Sequence, residues 1–350
     1  MKWPSEATSA ALFAGADQPL FGRRERRPRG ARLPVVVVTG FLGSGKTTLI
    51  RALLDRPEGA DTALVVNEFG EIGIDQALLR ASSDKTVLLG NGCLCCNVRS
   101  DLEETLRGLF IDRAKGAVPS FARVVIETSG LADPAPILQT FATDRALGGE
   151  FHLQAMVAVV DAVNGARNLD RMEEARRQVA VADRIVLSKT DLAGRDAVDA
   201  LAASLRDLCA APLREAVAGA IEPSFLLDDG IIGRPELPAG GHRHTHGIES
   251  FALLFEKPMP WPAFAQVMGV LANLRGPDLL RAKGLVAIEG AKGPVVVHYV
   301  QHVAHNPVEL LEWPDEDRRS RLVFVTRGIP REAAEALFAA IGGIAMPPPP

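Results

Sequence analysis

A polyphosphate is held by positive charge and converging N–H groups, and one stretch of this 350-residue chain offers both. Gly40-Phe41-Leu42-Gly43-Ser44-Gly45-Lys46-Thr47 fits G-x-x-x-x-G-K-[ST], with Thr48 directly after it. Gly40, Gly43 and Gly45 let the backbone, Ser44 included, wrap a phosphate chain without Cβ collisions. A helix beginning near Lys46 aims its positive end at the same anion. Lys46 has the reach for the β- and γ-phosphates, and the Thr47 hydroxyl suits Mg²⁺. A second oxygen ligand is expected from Val124-Val125-Ile126-Glu127-Thr128-Ser129-Gly130, an apolar run ending in an acid and then a glycine. Glu127 would share the Mg²⁺ with Thr47, and the Gly130 N–H would meet the γ-phosphate. Lys46, Thr47 and Glu127 are thus the expected catalytic set.

A different chemistry is written in Gly90-Asn91-Gly92-Cys93-Leu94-Cys95-Cys96-Asn97. Thiolates at i, i+2 and i+3 can converge on one soft or borderline cation, with a carboxylate, histidine or water as fourth ligand. No second pair closes a four-cysteine structural site, so the metal is expected to exchange. Asn67-Glu68-Phe69-Gly70-Glu71-Ile72-Gly73-Ile74-Asp75 sets three carboxylates beside two glycines, an acidic loop placed where a nucleotide-sensing switch would sit. Cys209, alone on a helical pattern, reads as core. His242, His244 and His246 either bind Zn²⁺ or Ni²⁺ loosely or belong to a plain polar loop. His298, His302 and His305 read as structural histidines.

These residues need elements to position them. After the strand Val35–Val38, strand patterns recur at 62–66, 86–89, 122–127, 153–160 and 184–188, with helical patterns such as 102–114, 166–181 and 197–209 between them. That alternation predicts an α/β domain over 33–229, a mostly parallel sheet with helices on both faces and ligands at the carboxyl ends of the strands. Residues 230–249 read as a histidine-containing linker. Strands at 251–255, 285–288, 295–300 and 322–326, with helices at 261–274 and 331–341, predict a smaller α+β domain over 250–345. Residues 1–32 read as a disordered basic leader, and 346–350 as a proline tail.

Composition removes several classes. A net charge of -4 gives no global reason to expect nucleic acid. No run of eighteen apolar residues predicts a membrane span, and without a secretory-type apolar core the cytoplasm is the expected location. Three of four cysteines packed into Cys93–Cys96 do not suit a disulfide framework.

Ile185-Val186-Leu187-Ser188-Lys189-Thr190-Asp191 resembles the Asn-Lys-x-Asp element of GTPases, with serine in place of asparagine. The resemblance gives Asp191 the guanine-reading carboxylate and Lys189 a nucleotide-binding role, while the serine weakens one base contact. In order along the chain, the P-loop, Asn67–Glu71, Gly92–Cys96, Glu127–Pro134 and Ser188–Asp191 resemble the CobW family of metal-handling GTPases. Arg281–Gly284 and Asp317–Phe324 resemble that family's C-terminal domain, so the likeness covers about 33–342. It implies a SIMIBI-like P-loop GTPase domain, GTP and GDP as nucleotides, and dimerisation across the nucleotide. It also implies that Cys93, Cys95 and Cys96 ligate a transition metal, Zn²⁺ or Co²⁺, with Glu68 or Glu71 as accessory ligand or link to the switch. The metal would pass to a client protein, hydrolysis timing its release. A passive metal-binding protein and a small-molecule P-loop kinase are the alternatives. No glutamine or arginine finger is identifiable in the sequence, so slow turnover is expected.

Overall fold

The computed structural model describes residues 32–67, 87–90, 98–144, 146–209, 211–228, 247–305 and 307–342. They fall into two compact units whose boundary in the chain is at Glu236.

In the first unit, β1 (Leu33–Thr39) shows why the sheet is sandwiched. Side chains alternate between the faces of a strand, yet Val35, Val36, Val37 and Val38 are all buried. α1 (Lys46–Leu54) lays Leu49, Ile50, Leu53 and Leu54 against Val36 and Val38, in one cluster with Leu64, Val66, Val125 and Val159. α2 (Val98–Lys115) buries Leu102, Leu106 and Leu109 and packs on α3 (Ala135–Thr143), both outside that cluster. The remaining strands are β2 (Thr62–Asn67), β3 (Val87–Gly90), β4 (Arg123–Thr128), β5 (Phe151–Asp161), β6 (Arg184–Ser188) and β7 (Leu213–Ala216). The remaining helices are α4 (Leu147–Glu150), α5 (Gly165–Arg171), α6 (Glu173–Ala180), α7 (Arg195–Leu208) and α8 (Pro223–Leu227).

The sheet runs β3-β2-β4-β1-β5-β6-β7, and every pairing is parallel. All carboxyl ends therefore share one edge. Register aligns them further: Val38 lies opposite Glu127, Asp161 opposite Ser188, Asn67 opposite Thr128 and Val66 opposite Gly90.

The expected parallel sheet is found, parallel in every described pairing, and within the expected 33–229 it gains β7 and α8, which the sequence patterns did not show. Other expectations change. The single helix expected over 166–181 is two, because Met172 turns extended (φ -111°, ψ 119°). Its N–H closes α5 on Asn168 O, and Glu173 and Glu174 open α6, where acids suit the positive helix end. Arg32, expected in the disordered leader, donates to Gly148 O at 3.0 Å. Cys209 is buried, its Sγ 3.5 Å from Ala182 O, as a core residue should be.

The second unit pairs β8 (Ile248–Phe255), β9 (Leu279–Val286), β10 (Val295–Val300), β11 (Val303–Ala304), β12 (Val308–Glu309) and β13 (Ser320–Arg327) in one antiparallel sheet. α9 (Trp261–Arg275) and α10 (Arg331–Gly342) bring Phe264, Val267, Met268, Leu271 and Phe338 into one core with Phe251, Leu253, Phe255 and Phe324. The strand expected at 285–288 instead begins at Leu279, with Arg281 buried in it, and Ile288 makes an isolated bridge to Met259. His298 and His305 stack with ring centroids 4.5 Å apart and planes 10° apart. Stacked planes cannot both aim a nitrogen at one cation, so this is a packing pair of the β10–β11 hairpin. No helix among the described residues is long and apolar enough to cross a membrane. His242, His244 and His246, like the leader up to residue 31 and the proline tail, lie outside the described residues.

Candidate functional site

Four neighbouring carboxyl ends, those of β4, β1, β5 and β6, carry the site. Beyond β1 the chain turns through Gly40 (φ 145°), Gly43 (φ 70°) and Gly45 (φ 95°), conformations that side chains disfavour. A Cβ at Gly40 would also lie 2.3 Å from Val159 O. α1 opens with no side-chain cap and no acid in its own first turn, so its leading N–H groups are not taken by a capping side chain. Lys46 is buried, and its Nζ donates to Gly40 O at 2.9 Å and Phe41 O at 3.3 Å, folded over the loop. Thr48 is exposed on the same turn.

Thr47 Oγ1 donates to Glu127 Oε1 at 2.7 Å, joining the ends of adjacent strands across 80 residues of chain. Glu127 is buried, so a hydroxyl and a carboxylate meet where a hard cation would find two oxygens. Beside them Thr128 Oγ1 donates to Thr39 Oγ1 at 2.9 Å. Gly130 is pressed on the P-loop, since a Cβ there would come within 2.7 Å of Leu42 N.

On the far side, Ser188 Oγ donates to Ser44 O at 2.6 Å. The serine that replaces the expected asparagine thus ties β6 to the P-loop backbone. Lys189, in the left-handed region at φ 57°, donates from Nζ to Gly43 O at 2.7 Å and to Asp161 Oδ2 at 2.8 Å. The 3₁₀ turn Thr190–Leu192 then presents Asp191 exposed at the edge. Asp161 also accepts from the N–H of Val163 at 2.7 Å and from Asn164 Nδ2 at 3.2 Å. Burial by itself would raise its pKa; the bonds from Lys189, Asn164 and Val163 outweigh it and hold the carboxyl below its ordinary value.

Sequence reasoning missed Asp161, although it ends the apolar run Val157–Val160 as Glu127 ends Val124–Ile126. It also missed the turn after β7, where Gly219 (φ 79°) sits so close that a Cβ would be 2.6 Å from Thr48 O. Gln178 of α6 gave no signal, yet it is buried and its Nε2 donates to Gly130 O and Ala132 O, each at 3.1 Å. Ser44 and Gln178 line a cavity of about 10 Å³, room for one water.

Glu68, Glu71, Cys93, Cys95 and Cys96 lie outside the described residues. The strands they follow, β2 and β3, end side by side on the edge that holds Glu127. Among the described residues, no three His, Cys, Asp or Glu side chains gather as a metal site.

Residues 34–213 match the family model CobW/HypB/UreG, nucleotide-binding domain, and residues 248–342 match the cobalamin synthesis protein cobW C-terminal domain. The zinc chaperone YjiA of Escherichia coli (strain K12) is 33% identical over 318 residues, spanning 88% of this chain and 98% of that protein. The zinc chaperone CobW of Pseudomonas aeruginosa is 31% identical over 344 residues, spanning 87% and 90%. The crystal structure of Zn(II)-bound YjiA GTPase from E. coli is similar to this one with a TM-score of 0.70 and 28% identity, over 89% of this chain and 99% of that one.

Proposed function

The chain belongs to the CobW family, with both its nucleotide-binding and its C-terminal domain, and from that premise we propose that it is a GTP-hydrolysing zinc metallochaperone. The contact that carries the nucleotide half is Thr47 Oγ1 on Glu127 Oε1 at 2.7 Å, next to the uncapped start of α1. A hydroxyl and a buried carboxylate there fit Mg²⁺, which when bound would neutralise charge on the β- and γ-phosphate oxygens. Lys46 and the P-loop N–H groups hold the transferred phosphoryl as water attacks it, and the Gly130 N–H marks its presence. Lys189 braces the P-loop at Gly43 O, which leaves Asp191 to read the guanine edge. Turnover of ATP equal to that of GTP would remove Asp191 from this role.

The cargo half rests on Cys93, Cys95 and Cys96, with Glu68 or Glu71 as a further ligand. Its support is topological: the chain leaves β2 and β3 at neighbouring strand ends, Val66 opposite Gly90, beside Glu127, which would hold Mg²⁺. A γ-phosphate that orders the acidic loop would align the thiolates and lower the entropic cost of holding zinc. Hydrolysis then loosens the set and releases the metal to a client. Reciprocal linkage requires tighter metal binding in the GTP state than in the GDP state.

Anaerobic Co²⁺ titration tests this, with Co²⁺ standing in for zinc. Intense sulfur-to-metal charge-transfer bands are expected with Mg²⁺ and a non-hydrolysable GTP analogue, weaker bands with GDP, and none in Cys95→Ser/Cys96→Ser. Equal Co²⁺ affinity in both nucleotide states would leave a GTPase that carries a metal without timing its release.

A further inference from the structure

The loop after β4 has to hold its shape around a phosphate that is present in one nucleotide state and gone in the other. Its inner side is the contact of Gly130 with the Leu42 backbone. Its outer side is held by α6. Gln178 donates both Nε2 bonds to carbonyls of this loop, Gly130 O and Ala132 O at 3.1 Å each. One residue earlier, Arg177 Nη1 donates to Asp133 Oδ2 at 3.2 Å, while Asp133 Oδ1 accepts from the Ala135 N–H at 2.9 Å and starts α3. The loop is closed on itself by Ala132 N–H to Ser129 O at 3.1 Å. Gln178 is 1% exposed, so its amide is not a chance surface contact. A buried amide aimed at two backbone carbonyls is a device for fixing backbone, because a buried carbonyl that loses its donor has no water to replace it.

α6 does not stop at the loop. Its chain runs on into β6, whose end carries Ser188 on Ser44 O and Lys189 on Gly43 O. The helix α6 and the strand β6 that follows it thus hold the loop after β4 and the P-loop from one continuous stretch of chain.

We propose that Gln178 is a positioning residue for GTP hydrolysis, holding Gly130 in the place where its N–H meets the γ-phosphate. This rests on the reading of Gly130 given above. Gln178 touches no substrate and acts through the two carbonyls, so the effect belongs in kcat and in the preference for GTP over GDP, and not in nucleotide binding as such.

Two variants of the full chain test it. Gln178→Met keeps the length of the side chain and removes the donor. It should lower kcat about tenfold or more, with GDP affinity within about twofold of the unsubstituted protein. Gln178→Glu places a carboxylate against two carbonyls; burial and those carbonyls both raise its pKa, and only its protonated form can donate. Its kcat, taken relative to the unsubstituted protein, should therefore recover as pH falls from 8 to 5.5, while that of Gln178→Met should not. Unchanged kcat and unchanged GTP/GDP preference in Gln178→Met would overturn the proposal. So would an equal loss of GTP and GDP affinity accompanied by a lowered unfolding temperature, which marks a purely structural role. An unsubstituted protein that fails to hydrolyse GTP would instead sink the function on which the proposal stands.

Discussion

At the scale of single residues, the site divides between groups that face the ligand and groups that hold those groups still. In the proposed function Lys46, Thr47 and Asp191 meet the ligand, whereas Ser188, Lys189 and Asp161 place polar atoms on the P-loop and on one another. Asp161 has a measurable signature. Its carboxyl is held below its ordinary value in the fold, so the unfolded chain binds a proton at higher pH than the folded one. Its contribution is fully present above about pH 4, the usual unfolded aspartate value, and is lost as pH falls through the folded value. Urea midpoints of the unsubstituted protein and of Asp161→Asn should thus differ at pH 7, and the difference should shrink steadily as pH falls below about 4. A gap that stays constant down to pH 3 would show that Asp161 contributes by packing alone. Both Asp161 and Glu127 were open to the same reading, an acid closing an apolar strand, but only Glu127 lay beside a recognised motif. Gln178 was not legible at all, because a glutamine within a charged helix such as Glu173–Ala180 reads as a solvated face until the tertiary fold buries it.

At the scale of elements, what was legible is what local chemistry dictates. Valines, glycines and then a lysine-threonine helix start give strand, loop and helix in that order without reference to the rest of the chain. What was not legible depends on partners far away. β9 carries Arg281 and Lys283 among its apolar residues, which hides it from a hydropathy pattern, yet it lies between β10 and β13 in mid-sheet. The break at Met172 has no glycine or proline to announce it. Close packing between loops yields the prediction proper to this scale. Gly130→Ala sets a methyl 2.7 Å from both Leu42 N and the Leu42 side chain, so the P-loop and the loop after β4 must separate. GTP affinity should fall by about tenfold or more, with far-ultraviolet circular dichroism unchanged because no strand is touched. Isothermal titration with a non-hydrolysable GTP analogue measures it, and wild-type affinity would show that the loops are not tightly apposed.

At the scale of the whole molecule, each unit has its own core, and the nucleotide unit has a conspicuous edge. Leu42, Leu131, Val163 and Leu192 are 53%, 51%, 53% and 68% exposed, and they follow β1, β4, β5 and β6 respectively. Apolar side chains left in water along the ligand edge suit a surface that is covered when nucleotide is bound. We propose that a second copy covers it, in a dimer across the nucleotide. Light scattering should give the mass of two chains with Mg²⁺ and a GTP analogue, one chain with GDP, and a reduced dimer fraction in Leu192→Ser; one mass throughout would refute it. The strand order has a separate consequence, for the chain as it is being made. Among the described strands β1 pairs with β4 and β5, and Val38 lies opposite Glu127. Ribosomes add roughly 5–20 residues per second, so β1 waits on the order of ten seconds for its first partner. Throughout that interval the four core valines of β1 lack their partner strands, the kind of apolar segment that misassembles with another nascent chain unless a holdase reaches it first.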